Sequence, residues 1–125
     1  MNLGEIYLWE TDRAQGYVKR NKYHIFVCQD DDGNYVFMYI NSADYYKDYK
    51  ILRANYTFLS YDSFIGCNAV ETYAPITFAM LNPPPQLKGQ LTVADMKSLR
   101  DAIIAAETMT QQDANRVCKA LSVVL

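Results

Sequence analysis

The runs Arg20-Asn-Lys-Tyr-His-Ile-Phe-Val-Cys28 and Asn34-Tyr-Val-Phe-Met-Tyr-Ile-Asn-Ser42 decide how this chain folds. Tyr23–Cys28 and Tyr35–Ile40 are dense in aromatic and β-branched residues, the types that fit a pleated, buried surface. Between them lies Gln29-Asp-Asp-Asp-Gly-Asn34, whose Asp32-Gly33 pair suits a turn that needs positive φ. The two runs therefore read as an antiparallel hairpin. Such a hairpin sets the start of its first strand beside the end of its second, so Arg20 and Lys22 are expected near Asn41 and Ser42. A cation beside a hydroxyl at a sheet end can hold a phosphate. It is also an ordinary strand end.

Working outward toward the N-terminus, Gly4–Glu10 reads as a strand, with Ile6 and Leu8 on one face and Tyr7 and Trp9 on the other. Both faces are apolar, so each needs a cover. Thr11–Asn21 reads as a loop broken by Gly16. With Lys22 at its edge it carries Arg13, Lys19 and Arg20 against Asp12 alone, a local +3 in a chain of net charge −2. Such a cluster is either simply solvated or a flexible cationic flap that grips phosphates. His24, the only histidine, falls inside the first hairpin strand with Phe26 and Cys28 as expected face-mates. It is either a packed, hydrogen-bonded residue or, if its face opens to the site, a base that titrates near neutral pH. No metal or other cofactor is expected. His24 and Cys28 would stand about 13 Å apart at a strand rise of about 3.3 Å, and no paired Cys or His spacing of the zinc type occurs.

Toward the C-terminus, Ala43–Lys50 reads as a polar, tyrosine-rich loop. Of Tyr45, Tyr46 and Tyr49, two are expected to pack down and one to stand exposed; alternatively the three offer a stacking platform near the hairpin's open end. Lys50–Arg53, Tyr56–Leu59, Ser63–Asn68 and Ala69–Tyr73 are short strand candidates, and Gly66 suggests a bulge or corner. Asn82-Pro-Pro-Pro85 is a stiff extended connector that excludes a regular helix or central strand. Beyond it the period changes. Thr92-Val-Ala-Asp95 and Thr110-Gln-Gln-Asp113 both resemble helix caps. Val93, Met96, Leu99, Ile103 and Ala106 form one apolar stripe, and Ala114, Val117, Cys118 and Leu121 a second. The expectation is one domain: a mainly β, small barrel over 1–81, a Pro-rich connector over 82–91 and two amphipathic helices over 92–125, an α+β arrangement.

The bulk numbers agree with a soluble globular domain. The chain has 125 residues, of which 50% are hydrophobic and 21% charged. Eleven tyrosines suit surfaces that are dry at one end of the ring and wet at the other, whether in a β-rich core or on a base-stacking face. The net charge argues against strong non-specific nucleic-acid binding. No apolar run is long enough for a membrane span, and the N-terminus has no signal-peptide pattern. Cys28, Cys67 and Cys118 read as buried free thiols, which points to the cytoplasm.

The order of these segments resembles the MazF/PemK-like (Kid-like) toxin family. Gly4-Glu-Ile-Tyr7 is similar to that family's opening Gly-Asp-Ile/Val-Tyr strand, and Thr11–Asn21 sits where the family carries its flexible flap. Tyr23–Val27 and Tyr35–Ser42 look like its second and third strands. Asp62-Ser63-Phe-Ile-Gly-Cys-Asn68-Ala-Val-Glu-Thr72 resembles its late Asp-Ser stretch, and Leu87-Lys-Gly-Gln-Leu91 its approach to the C-terminal helix. The likeness spans about Gly4–Ala106. It implies an SH3-like barrel, usually dimeric, and a metal-independent endoribonuclease of a toxin–antitoxin system, with single-stranded RNA, an antitoxin protein and a second copy of the chain as partners.

By that resemblance Arg20 or Lys22 would bind the scissile phosphate and Ser42 would donate to it, with His24 as a conditional base. Arg13 and Lys19 would hold flanking phosphates, and Tyr39 or Tyr45 would stack a base. The chain departs from the family at its Arg-Pro step, which reads Lys22-Tyr23 here, with Arg20 two residues earlier. The family's later Arg is missing near Ala69–Glu71, and the second tail helix exceeds the usual pattern. These departures suit a second expectation, a catalytically inactive, phage- or mobile-element-encoded barrel that binds or inhibits a protein.

Overall fold

A computed structural model describes residues 1–14 and 18–124; the expected break at Gly16 lies outside the described residues. The hairpin forms as its residue types require. Strand β2 (Arg20–Gln29) pairs antiparallel with β3 (Tyr35–Asn41), with Tyr23 opposite Ile40 and Gln29 opposite Tyr35. The turn closes on Gly33 at φ +81°, where a Cβ would be strained. Asp30 Oδ1 accepts from the backbone N–H groups of Asp32 and Asn34, which fixes the turn locally.

Strand β1 (Glu5–Thr11) lies on the other side of β2, pairing Trp9 with Lys22 and Thr11 with Arg20. Arg20 and Asn21 therefore belong to a strand, and the cationic loop is shorter than the expected Thr11–Asn21. On its far side β3 takes two short partners. Its end pairs with β5 (Ser63–Ile65) and its start with β6 (Glu71–Tyr73), while β4 (Tyr49–Ile51) adds to β5. The opposite edge holds β7 (Gln86–Gln90), antiparallel to β1. The result is one curled antiparallel sheet ordered β4-β5-β3-β2-β1-β7, with β6 beside β3.

Several expectations give way here. β7 takes up half of the expected 82–91 connector, and the Asn82–Pro85 segment before it is irregular. Its mostly exposed residues carry no apolar alternation, so backbone pairing with β1 alone makes it a strand. Tyr56–Leu59 is not a strand. It follows a 3₁₀ turn at Arg53–Asn55 and buries Tyr56 and Leu59 as plugs in the core. Pro75–Ala79 forms a short helix, α1, with Pro at its first position. Gly66 does mark a corner: its N–H donates to the Tyr39 carbonyl just beyond β5.

The tail is two helices, α2 (Val93–Ala106) and α3 (Gln111–Leu121). Thr92 and Thr110 accept from the N–H groups of Asp95 and Asp113, as the paired cap signals require. Met96, Leu99, Ile103 and Ala106 are buried in α2, Val117 and Leu121 in α3, whereas Val93 is exposed. These helices cover one face of the sheet in a single core with Ile6, Ile25, Met38 and Ile65. The other face is an aromatic cluster of Trp9, Phe26, Phe37 and Tyr73, covered by Phe78 of α1 and Leu81 after it. The cysteines are unpaired; Cys67 is buried, and Cys28 and Cys118 are only half-buried. Among the described residues no helix is long and apolar enough to cross a membrane.

Candidate functional site

The open end of the β2–β3 hairpin carries a cavity of about 250 Å³. Arg20 and Lys22 reach it from the start of β2, Asn41 and Ser42 from the end of β3, and Tyr45 and Tyr61 from the loops that follow β3 and β4. The antiparallel register explains the gathering: with Tyr23 opposite Ile40, Lys22 falls beside Asn41. Lys22 Nζ donates to Asn41 Oδ1 at 2.5 Å. Burial, and then the neighbouring Arg20 charge, lower the Lys22 pKa below its ordinary value. No carboxylate or imidazole lines this cavity among the described residues, so its field is cationic. Tyr45 is 50% exposed, which leaves ring surface open for stacking.

The remaining expected site residues go elsewhere. His24 is fully buried on the aromatic face, stacked on Trp9 with ring centroids 3.4 Å apart. Its Nδ1–H donates to the Lys22 carbonyl at 2.8 Å, which makes Nε2 the unprotonated nitrogen. Nε2 lies near the Tyr7 backbone but outside hydrogen-bonding geometry. Burial drives the pKa down to about 3, reinforced by the Lys22 charge and opposed by the Lys22 and Tyr7 backbone. The condition for His24 as a base, a face that opens to the site, is not met. Nor are both expected face-mates present. A bulge between Phe26 and Cys28 leaves Phe26 on the aromatic face that His24 shares and turns Cys28 to the opposite core.

Arg13 lies away from the hairpin mouth and is held. Its Nη1 donates to Glu71 Oε1 at 3.2 Å and to the Thr72 carbonyl at 2.9 Å, and its guanidinium sits 3.9 Å from the Tyr73 ring centroid. Lys19 makes an exposed ion pair with Glu10 at 3.2 Å. Neither lines the cavity of Arg20 and Lys22. Tyr39 lines a second, adjoining cavity, and its pKa is raised chiefly by burial. Of the loop tyrosines, Tyr49 packs inward and donates to Asp95 at 2.6 Å, while Tyr45 and Tyr46 are exposed; two had been expected to pack.

Asn41, expected beside Lys22 from the hairpin register, supplies the partner that positions it. One contributor escaped the sequence: Tyr61 adds a second aromatic wall, and nothing local marks it, because it arrives from a loop distant in sequence. Among the described residues no three His, Cys, Asp or Glu side chains gather where one metal ion would reach them. Comparison of the chain with protein-family models finds no match, and neither does comparison with curated proteins.

Proposed function

We propose that the chain is a metal-independent endoribonuclease of the MazF/PemK type, acting on single-stranded RNA at the mouth of the β2–β3 hairpin. One observation carries this reading: Arg20, Lys22 and Ser42 line a single cationic cavity walled by Tyr45 and Tyr61. Cations bind the phosphate, and the tyrosine rings suit unstacked bases, which are available only in single strands.

In this scheme the ribose 2′-oxygen attacks phosphorus and the P–O5′ bond breaks, leaving a 2′,3′-cyclic phosphate and a 5′-hydroxyl. The 2′ proton leaves to solvent. Lys22, made more acidic by burial and by Arg20, gives O5′ its proton and recovers one from water. Arg20 and the Ser42 hydroxyl meet the charge that develops on the phosphate oxygens. A second copy of the chain and a protein antitoxin are the partners that go with this function.

The test is incubation of the purified protein with single-stranded RNA in EDTA. Cleavage is expected, falling by about 100-fold or more in Arg20→Ala or Ser42→Ala, the scale of losing one transition-state donor. A second reading is favoured by a separate observation: among the described residues no imidazole or carboxylate lines the cavity. It takes the protein as an inactive relative that binds a protein partner. Wild-type protein that leaves RNA intact while co-purifying with a stoichiometric partner would replace the first reading with the second.

A further inference from the structure

A lysine attacks a carbonyl carbon only as the neutral amine, a form that burial and a neighbouring cation both favour. Lys22 meets the two conditions. It is half-buried at the hairpin mouth, and burial, then the Arg20 charge, lower its pKa. Its Nζ donates to Asn41 Oδ1, a neutral oxygen that accepts from an amine as well as from an ammonium. The Tyr39 ring centroid lies 5.7 Å from Nζ, near the limit of cation–π range, and favours the charged form only weakly. Lys19 and Lys50 are different: both are exposed and each is paired with a carboxylate, Glu10 at 3.2 Å and Asp62 at 3.9 Å.

The surroundings define what the carbonyl compound carries. Arg20 lines the same cavity of about 250 Å³, and its planar fork matches a phosphate. Among the described residues no carboxylate lines that cavity, so an anion there meets no like charge. Tyr45 and Tyr61, both exposed, offer ring faces to a flat group.

We propose that Lys22 is an imine-forming lysine and that the hairpin mouth takes a phosphorylated aromatic aldehyde. Its phosphate lies on Arg20, its carbonyl carbon at Lys22 Nζ and its ring against Tyr45 or Tyr61. The Nζ lone pair forms the C–N bond, and the C=O π pair moves to oxygen, which takes a proton to give the carbinolamine. Nitrogen then expels that oxygen as water and C=N remains, so one water leaves per imine and no oxidant or reductant is needed. The residues are those of the RNA reading; the chemistry is separate from it.

Pyridoxal 5′-phosphate and unphosphorylated pyridoxal are the probes. Each is mixed with the full-length protein, the imine is fixed with borohydride, and labelled lysines are mapped by peptide mass spectrometry. Pyridoxal 5′-phosphate is expected to label Lys22 ahead of Lys19 and Lys50, and to label it about tenfold or more faster than pyridoxal does, the scale of one charge-assisted hydrogen bond. Inorganic phosphate should protect Lys22. Arg20→Ala should bring the ratio of the two probes at Lys22 close to one, and Lys22→Arg should abolish the imine absorbance seen before reduction; both variants are checked for unchanged melting. Labelling spread evenly over exposed lysines overturns the inference, as does equal labelling of wild-type Lys22 by the two probes. If Lys22 is labelled as expected but RNA stays intact in EDTA, the endoribonuclease reading fails and the imine site stands. If RNA is cleaved and Lys22 is not selectively labelled, the imine site fails alone.

Discussion

A buried imidazole with one hydrogen bond is cheaper to keep neutral than to charge, and His24 shows the consequence. Its unfolded pKa is near 6.5, whereas in the fold burial holds it down to about 3. The unfolded chain therefore binds a proton that the native state refuses. The stability due to His24 is complete above pH 6.5 and falls by about 1.4 kcal/mol per pH unit as the pH drops toward 3. Its ring proton resonances should stay flat from pH 8 to pH 4; a titration midpoint near 6 would contradict the buried, Trp9-stacked placement. The strand position of His24 was legible from its neighbours. Its depth was not, because that depth comes from Trp9 of β1 and Phe37 of β3, contacts between segments distant in sequence. Lys22 is the complementary case: its place opposite the end of β3 follows from hairpin register, while its lowered pKa depends on how far the mouth is buried.

Elements were readable to the extent that their signals are local. Thr92 and Thr110 announce their helices because a cap is a contact within four residues. The β7 edge strand is the opposite. Its five residues are mostly exposed and carry no apolar alternation, and only the backbone of β1 tells them to extend. Gly89 shows what that pairing demands. A Cβ there would stand 2.7 Å from Phe58 Cε1 and 3.0 Å from Cδ1, so the strand lies against the ring itself. Gly89→Ala should cost about 1–3 kcal/mol in urea denaturation, the range for overpacking. Adding Phe58→Leu should return part of that loss, giving a non-additive double-mutant cycle. Additive costs would place Phe58 elsewhere. The same ring touches Tyr23 and Tyr56, which is why the Tyr56–Leu59 segment plugs the core instead of extending as a strand.

For the whole molecule, the sheet must be covered twice. Helices α2 and α3 close one face and the α1 segment the other, so the hairpin mouth, at one end of the sheet, stays open to solvent. Stability should then divide by which side of a helix is changed. Leu99, 1% exposed, should cost about 2–5 kcal/mol as Leu99→Ala. Ile104, five residues along the same helix and 61% exposed, should stay within about 0.5 kcal/mol as Ile104→Ala. Equal losses in thermal or urea unfolding would show that the outer face of α2 is covered in solution, as by a second copy of the chain.

The chain by itself determined the hairpin, its turn at Gly33, the two capped helices and the meeting of Lys22 with the end of β3. Each of these depends on residue type and on neighbours fixed by strand or helix period. Only the tertiary structure decided which cations share a cavity, that His24 is sealed away while Arg13 is held by Glu71 and Tyr73, and that a bulge turns Cys28 to the other face. Those outcomes depend on how separate strands and loops are brought together when the sheet curls and both its faces are buried, and no local pattern encodes that.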